Sequence, residues 1–164
     1  MGHHKVIALA VSLSLALGCA STRWAVQKSL RQPGESLEDF PEAVWEEYDC
    51  ASQRRPFFVI EKNELLPPRL DAGGEFNHRF VYAMCPVGPT EVVSGLLSTR
   101  IRFRGNPIVV DTANGYEIKP GRWVVDAMIK LPEDAEPGVY AHELVFASPE
   151  LEFEKRLTFV VHEP

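Results

Sequence analysis

The stretch that decides the fold is Leu96-Leu-Ser-Thr-Arg-Ile-Arg-Phe-Arg104. Every second residue from Leu97 to Phe103 is apolar or β-branched, whereas the positions between them hold Ser98 and arginines. Successive side chains of a β-strand point to opposite faces, so this alternation predicts a strand with one face in a core and the other in solvent.

The same two-residue period recurs on both sides of this stretch. The segments that show it are 57–66, 77–84, 96–104, 108–111, 116–118, 122–131, 139–147 and 151–161. Prolines and glycines separate them, and Asn114-Gly115 predicts a tight hairpin. About seven or eight short strands at this spacing predict an all-β protein, an antiparallel β-sandwich over residues 56–164.

One loop of this region carries a resemblance to a known class. The stretch from Leu131-Pro132 to Pro137-Gly138-Val139-Tyr140 resembles the loop and tyrosine corner of immunoglobulin-like and fibronectin-like domains. The resemblance implies an immunoglobulin-like sandwich in which the Tyr140 hydroxyl forms a hydrogen bond back to the loop backbone. The sequence shows no repeat and no second domain.

A short helix is expected before the first strand. Ser36-Leu-Glu-Asp39 offers capping side chains, and Pro41 suits the first turn of a helix. Residues 36–55 are therefore predicted to be a short helix and a lead-in to the sandwich. Trp45 is expected to pack on the domain rather than to form part of a binding site.

The N-terminus has the features of an export signal. Lys5 provides a positive start, and the apolar run from Val6 to Leu17 follows it. This run is too short to cross a bilayer core of ~30 Å as a helix, but it suits a signal peptide. Residues 1–18 are therefore predicted to be cleaved off.

The end of that segment, Leu15-Ala-Leu-Gly-Cys19, resembles the lipobox of bacterial lipoproteins. The resemblance implies cleavage before Cys19, a diacylglyceryl thioether on its sulfur and attachment to membrane lipid. Ala20 implies sorting to the outer membrane, and residues 19–35 would then form a lipid-anchored tether. An ordinary secretory signal with a chance cysteine, or an apolar segment that is retained, are the alternatives.

The other two cysteines are Cys50 and Cys85. An even pair in an exported chain predicts a disulfide, and two buried free thiols are the alternative. The chain has no Cys-x-x-Cys motif, which argues against a thiol-exchange enzyme.

Composition narrows the class of partner. The chain has 164 residues, 45% of them hydrophobic and 24% charged, which is typical of a folded domain. It has 17 basic and 23 acidic residues, a net charge of −6. A protein this acidic is not expected to bind nucleic acid, which requires a basic surface.

No pattern of catalytic or metal-binding residues stands out. The chain lacks a Gly-x-Ser-x-Gly motif, and His78, His142 and His162 have none of the spacings of a metal site. No metal, no cofactor and no catalytic residue are therefore expected. A site assembled from scattered residues such as His142, Glu143 and Asp126 is the enzymatic alternative.

The arginine row Arg100, Arg102 and Arg104 is the candidate interaction surface. Guanidinium groups that share a strand face repel one another unless a carboxylate or phosphate lies opposite. The row therefore predicts a face for a partner or a polyanion. Neutralisation across the strands by Glu152 and Glu154, or by other acids, is the alternative.

These features together predict a lipid-anchored protein of the bacterial cell envelope, on the outer membrane and facing the periplasm. Its sandwich would act as a non-catalytic interaction or structural module, with another envelope protein as partner. A lipoprotein that binds a glycan or an anionic small molecule is the second hypothesis, and an enzyme is the third.

Overall fold

The structure is a computed structural model that describes residues 26–27, 30–88 and 91–162. The predicted signal peptide and Cys19 lie outside the described residues. Among those described, no helix is both long enough and apolar enough to cross a membrane. The elements in chain order are β1 Gly34–Asp39, α1 Pro41–Glu47, β2 Phe57–Leu66, β3 Arg69–Leu70, β4 Glu75–Cys85, β5 Val93–Phe103, β6 Asn106–Ile118, β7 Gly121–Lys130, β8 Gly138–Ala147 and β9 Glu152–Val161.

The strands form two sheets. Sheet A has the order β1-β7-β4-β2, and sheet B has the order β3-β9-β8-β5-β6. All neighbours are antiparallel except the short pair β3 and β9. The predicted all-β sandwich is confirmed. The described residues hold nine strands rather than seven or eight, because β1 and β3 are edge strands without a clear alternation in the sequence.

The prediction of a hairpin at Asn114-Gly115 is wrong. The two segments around it form one strand, β6, and its pairing with β5 shifts register between Gly95 and Leu96. Gly115 has φ of 69° in this bulge. A glycine with positive φ suits a bulge as well as a two-residue turn, so the dipeptide alone does not distinguish them.

Strand β6 is one edge of sheet B, and the two-residue strand β3 lies at the other. Pro107 stands near the start of β6, and the pairing of β6 with β5 is irregular at two places. Asp111 lies opposite Thr99, and this pairing puts it on the core-facing side of the exposed edge. Proline, bulges and inward charges are features that discourage another strand from pairing with an edge.

The core lies between the sheets in two clusters. One is built around Phe76, Ile101, Tyr140 and Phe159, and the other around Tyr82, Met84, Leu144 and Phe146. A third, smaller cluster lies on the outer face of sheet A, where α1 covers the end of β4. It consists of Val44, Cys50, Ala83 and Cys85.

The predicted helix is present but starts later than expected. Ser36 and Asp39 belong to β1, which pairs with β7, and the N-cap of α1 is Phe40, with no side-chain cap. Pro41 opens the helix as expected. The chain passes close to Gly121, where an added Cβ would lie 2.7 Å from the Asp39 carbonyl oxygen. Residues 34–39 pair with β7 at the edge of sheet A, so they form a strand and not the first turn of the helix.

The predicted disulfide is confirmed. Cys50 and Cys85 are bonded, with their Cα atoms 5.8 Å apart, and both residues are fully buried. The bond ties the segment after α1 to the end of β4. It therefore fixes the position of the helix on sheet A.

The Tyr140 hydroxyl donates a hydrogen bond of 2.7 Å to the backbone carbonyl of Glu136. Its ring stacks on Phe103 and Phe159, with centroid distances of 4.5 and 5.4 Å. These contacts hold the loop between β7 and β8 against the core.

Candidate docking surface

One end of the sandwich is here called the disulfide end. It is formed by α1 and residues 48–56, 86–88, 91–92, 119–120 and 148–151. The disulfide brings two loops together there, because the chain continues from Cys50 towards Arg55 and from Cys85 into Pro86 and Val87. Residues distant in the sequence thus become walls of the same surface.

The first groove at this end has a volume of about 310 Å³. The Arg55 guanidinium lies over the Trp45 ring, 5.3 Å from its centroid, and donates a hydrogen bond of 3.3 Å to the Val87 carbonyl. Arg55 therefore connects the helix side of the groove to the loop side. The lining residues are Pro41, Glu42, Trp45, Arg55, Pro86, Val87 and Gly88.

A second groove of about 360 Å³ adjoins the first, and Val87 lines both. Apolar side chains remain exposed around them: Val87 by 52% and Val92 by 38%, while Phe40, beside the lining residue Pro41, is 68% exposed. The second groove is lined by Pro56, Val87, Glu91, Val92, Val93, Ser94, Pro149 and Glu150. Grouped apolar side chains at a protein surface are typical of an interaction site.

Carboxylates line these grooves. Glu42 lines the first groove, and Glu91 and Glu150 line the second. Glu91 also accepts a hydrogen bond of 3.0 Å from the backbone N–H of Gly88. A surface with apolar walls and acidic groups suits a partner that carries apolar and basic side chains.

The arginine row meets an acid across the strands, but this acid is Glu143 and not Glu152 or Glu154. Arg102 Nε donates a hydrogen bond of 2.7 Å to Glu143, whose side chain is only 7% exposed. Glu143 lies opposite both Arg100 and Arg156 in the strand register, and Arg156 is 4.0 Å from it. The acids proposed earlier, Glu152 and Glu154, lie opposite Ala147 and Val145 instead.

The third arginine of the row leaves the strand. Arg104 follows the end of β5 with φ of 50°. Its guanidinium lies over the Phe103 ring, 4.5 Å from the centroid, and 3.2 Å from the exposed Glu136 carboxylate. The row is thus divided: Arg100 and Arg102 lie beside Glu143, and Arg104 lies apart in the turn after β5.

We predict that Glu143→Gln lowers the free energy of unfolding by about 2 kcal/mol, because guanidinium groups then face one another without a carboxylate. Glu154→Gln, an exposed acid on the same face, is the matched control and should change it by less than about 0.5 kcal/mol. Urea unfolding of both variants measures the difference. Equal effects of the two substitutions would show that Glu143 has no special role.

Two of the candidate histidines meet in the core. His78 and His142 have ring centroids 4.2 Å apart, and both are almost completely buried. His78 Nε2 is 2.7 Å from Asn63 Oδ1, whereas His142 Nε2 is buried without a hydrogen-bond partner. Burial lowers the pKa of His78 to about 3 and that of His142 to about 4. The pair is therefore neutral and packs as part of the core.

The scattered catalytic set is not brought together. His142 faces the core, and Glu143, the next residue in β8, faces outward from sheet B. Asp126 lies on the outer face of sheet A, where Arg79 binds both its oxygens at 2.9 and 2.6 Å. Burial acts to raise the pKa of Asp126, but the hydrogen bonds from Arg79 and Asn77 outweigh it and hold the pKa below its usual value. In the described ranges, no group of three or more potential metal ligands occurs.

Sequence reasoning missed Arg55, Pro86 and Val87 as surface residues. The predicted disulfide was a usable signal for them, because it brings together the residues that follow each cysteine. Arg55 lies five residues after Cys50, and Pro86 lies directly after Cys85. Trp45 has both roles: it packs against the cluster under α1 and lines the first groove.

Comparisons with known proteins give no family and only distant structural likenesses. No family model matches the sequence, and no curated protein matches it. The chain is similar to part of the DNA glycosylase AlkC of Pseudomonas fluorescens, with 10% identity and a TM-score of 0.46 over 65% of this chain and 30% of that one. It is also similar to part of a family 123 glycoside hydrolase of Clostridium perfringens, with 16% identity and a TM-score of 0.43 over 58% and 23%.

A third similar structure is the sporulation control protein Spo0M of Bacillus subtilis, with 13% identity and a TM-score of 0.42 over 66% and 49%. The chain thus spans less than half the length of each of these three proteins. Likenesses this distant carry no argument about what the protein binds or does.

Proposed function

We propose that this protein is a lipid-anchored protein of the bacterial cell envelope whose immunoglobulin-like sandwich is a non-catalytic binding module. Cys19 would attach it to the outer membrane, on the periplasmic side. The disulfide end would bind another envelope protein through its apolar grooves.

The support for the anchor comes from the sequence. The basic start, the short apolar run and the Gly18-Cys19 pair follow the order of a lipoprotein signal. The bonded Cys50–Cys85 pair fits an exported protein, because disulfides persist in oxidising compartments. The Tyr140 hydrogen bond supports the immunoglobulin-like class.

The observation that carries the binding role is the pair of adjoining grooves around Val87. A protein partner fits them better than a glycan does, because sugar recognition needs several converging hydrogen-bond groups. In the first groove the Arg55 guanidinium is already engaged with Trp45 and Val87. Apart from the Glu42 carboxylate, the side chains that remain there are proline, valine and the indole ring, which suit apolar protein side chains.

The anchor is tested on the protein purified from membranes of its native host. Mass spectrometry should show an N-terminal Cys19 that carries a diacylglyceryl group, and Cys19→Ala should release the protein from the membrane fraction. An intact N-terminal segment, or an unmodified Cys19, would contradict the anchor.

The docking surface is tested with a photoreactive benzophenone residue at position 87 in intact cells. The matched control is the same residue at Val139, which is 65% exposed and lies at the opposite end of sheet B. We expect a discrete crosslinked product at position 87 only. The identified partner should then bind purified Val87→Asp protein at least 10-fold more weakly than Val139→Asp protein. Equal binding by the two variants would place the partner elsewhere.

A further inference from the structure

Residues 31–39, here called the strap, lie against sheet A and end as its edge strand β1. Backbone pairing with β7 joins β1 to the sheet. The Arg31 side chain is only 8% exposed, donates a hydrogen bond of 2.8 Å to Asn77 Oδ1 and lies 2.5 Å from the Glu64 carboxylate. Because backbone pairing and a buried side chain both hold it, the strap is a fixed part of the domain.

The strap runs from one end of the sandwich to the other. At its start Arg31 contacts Asn77, near the beginning of β4, and after its end the chain enters α1 at Pro41. Strand β4 ends at Cys85, in the disulfide end, so eight residues of strand, or about 27 Å, separate Asn77 from that end. The chain that leads to Cys19 therefore leaves the domain at the end opposite to the grooves.

That opposite end is here called the far end, and it consists of the loops at residues 71–74, 104–105 and 131–137. Two of these loops are joined, because the Gly73 N–H donates a hydrogen bond of 2.9 Å to the Pro132 carbonyl. Glu133 lies in the same loop as Pro132, and its side chain is 80% exposed. A label at position 133 therefore reports on the far end.

The chain between Cys19 and the strap is short compared with the domain. The Leu30 N–H donates a hydrogen bond of 3.3 Å to the Val26 carbonyl, so the chain turns just before the strap. With this turn, the segment from Cys19 to Arg31 spans at most about 35 Å. To turn the disulfide end towards a bilayer that holds Cys19, Arg31 would have to stand about 27 Å above that bilayer. This orientation would use most of the reach of the segment, and an almost extended chain has few conformations. With the far end towards the bilayer, no such extension is needed.

We propose that the strap makes the disulfide end the membrane-distal end of the domain, and that the partner there is a protein whose contact segment stands about 30 Å or more from the bilayer surface; this rests on the proposed lipidation of Cys19. The strap fixes the point at which the chain enters the domain, and the length of the sandwich separates this point from the grooves. A partner that lies flat on the same bilayer would meet the far end first. The apolar and acidic walls of the grooves therefore suit apolar and basic side chains that are presented away from the membrane.

The orientation is measured by energy transfer on the acylated protein, purified from membranes and placed in phosphatidylcholine vesicles that contain an acceptor lipid. The donor dye is attached to Glu133→Cys at the far end, or to Glu150→Cys, an exposed position at the disulfide end. Cys50 and Cys85 are bonded and fully buried, so only the introduced thiol reacts. Transfer from position 133 should be at least 3-fold higher than transfer from position 150, and the Cys19→Ala forms of both proteins, as controls, should show none. Equal transfer from the two positions, or the reverse order, would overturn the orientation.

The placement of the partner is tested with the protein that crosslinks at position 87. Its dissociation constants for the vesicle-bound acylated protein and for the free Cys19→Ala protein should agree within 2-fold, because the bilayer leaves the disulfide end open. Binding at least 10-fold weaker on the vesicles would show that the bilayer covers this end, and the proposal would be wrong.

Failure of the proposed function is distinguishable from failure of the orientation. An unmodified Cys19 in the native protein would overturn the proposed function. A maleimide lipid coupled to Cys19 of that protein then supplies the attachment, with the donor on an azide-bearing residue at position 133 or 150. Equal transfer from the two positions in this sample would show that the strap does not orient the domain.

Discussion

Acidification from pH 7 to pH 5 is expected to lower the free energy of unfolding by about 4 kcal/mol, because two histidines are buried in neutral form. His78 and His142 have pKa values of about 3 and about 4 in the folded protein, whereas an unfolded histidine titrates near pH 6.5. Below pH 6.5 these two histidines therefore bind protons in the unfolded chain but stay neutral in the folded core. Stability falls as the pH drops through 6.5 and continues to fall until the folded values are reached.

The shifted carboxylates contribute little to the change in the free energy of unfolding between pH 7 and pH 5. The pKa values of Glu61, Glu64 and Asp126 are lowered, because hydrogen bonds from basic side chains outweigh the effect of burial. The stability that these carboxylates contribute is present above their unfolded pKa near 4 and is lost only at lower pH. Urea unfolding between pH 7 and pH 5 therefore measures the histidine pair.

Single substitutions separate the two rings. His142→Leu should remove about half of the pH dependence and raise stability at pH 7 by about 1 kcal/mol, because the unpartnered Nε2 is gone. His78→Leu should remove a similar share but bring no gain, because Asn63 loses its partner. His162→Gln, at an exposed position, is the control and should leave the slope unchanged. A full pH dependence in a variant that lacks both core histidines would refute this explanation.

Loss of the disulfide is expected to cost about as much as acidification. The Cys50–Cys85 bond closes a loop with a sequence separation of 35, for which the chain-entropy model gives about 4 kcal/mol. Cys50→Ala with Cys85→Ala should lower the free energy of unfolding by that amount. Amide exchange in α1 should also become faster, because the bond ties the segment after the helix to β4.

The matched comparison is the wild-type protein, unfolded and refolded in the presence of a reductant. Its stability should agree with that of the double-alanine protein within about 1 kcal/mol, since both lack the same constraint. A loss below about 1 kcal/mol in either sample would mean that the cluster around Val44 alone holds the helix in place.

The strands of the fold were predictable where one face is apolar and the other polar. Leu97 to Phe103 illustrates this, because β5 has a buried Ile101 between partly exposed arginines. Ser98 departs from the pattern, since it lies on the arginine face but is 4% exposed. Strand β1 was not predictable, because Ser36 and Asp39 suit a helix cap and only pairing with β7 makes them a strand. The bulge at Gly115 was missed for a similar reason, since its role depends on the neighbouring strand.

The candidate site was less predictable than the fold. Alternation placed Arg100 and Arg102 on one face, but which acid neutralises them depends on the order of β5 and β8 in the sheet. The grooves around Val87 depend on a disulfide and on two loops that have no regular pattern. Surfaces assembled from loops carry no periodic signal, so geometry is needed to find them.

The irregular edge strand β6 has a consequence for a protein tethered as proposed. Molecules confined to a membrane meet in two dimensions, at local concentrations far above those of the same molecules in solution. A flat, open strand would then favour polymerisation from sheet to sheet. Pro107, the bulge at Gly115 and Asp111 oppose such growth at β6, so this edge should not pair with a neighbouring domain even when the domains are crowded on a surface.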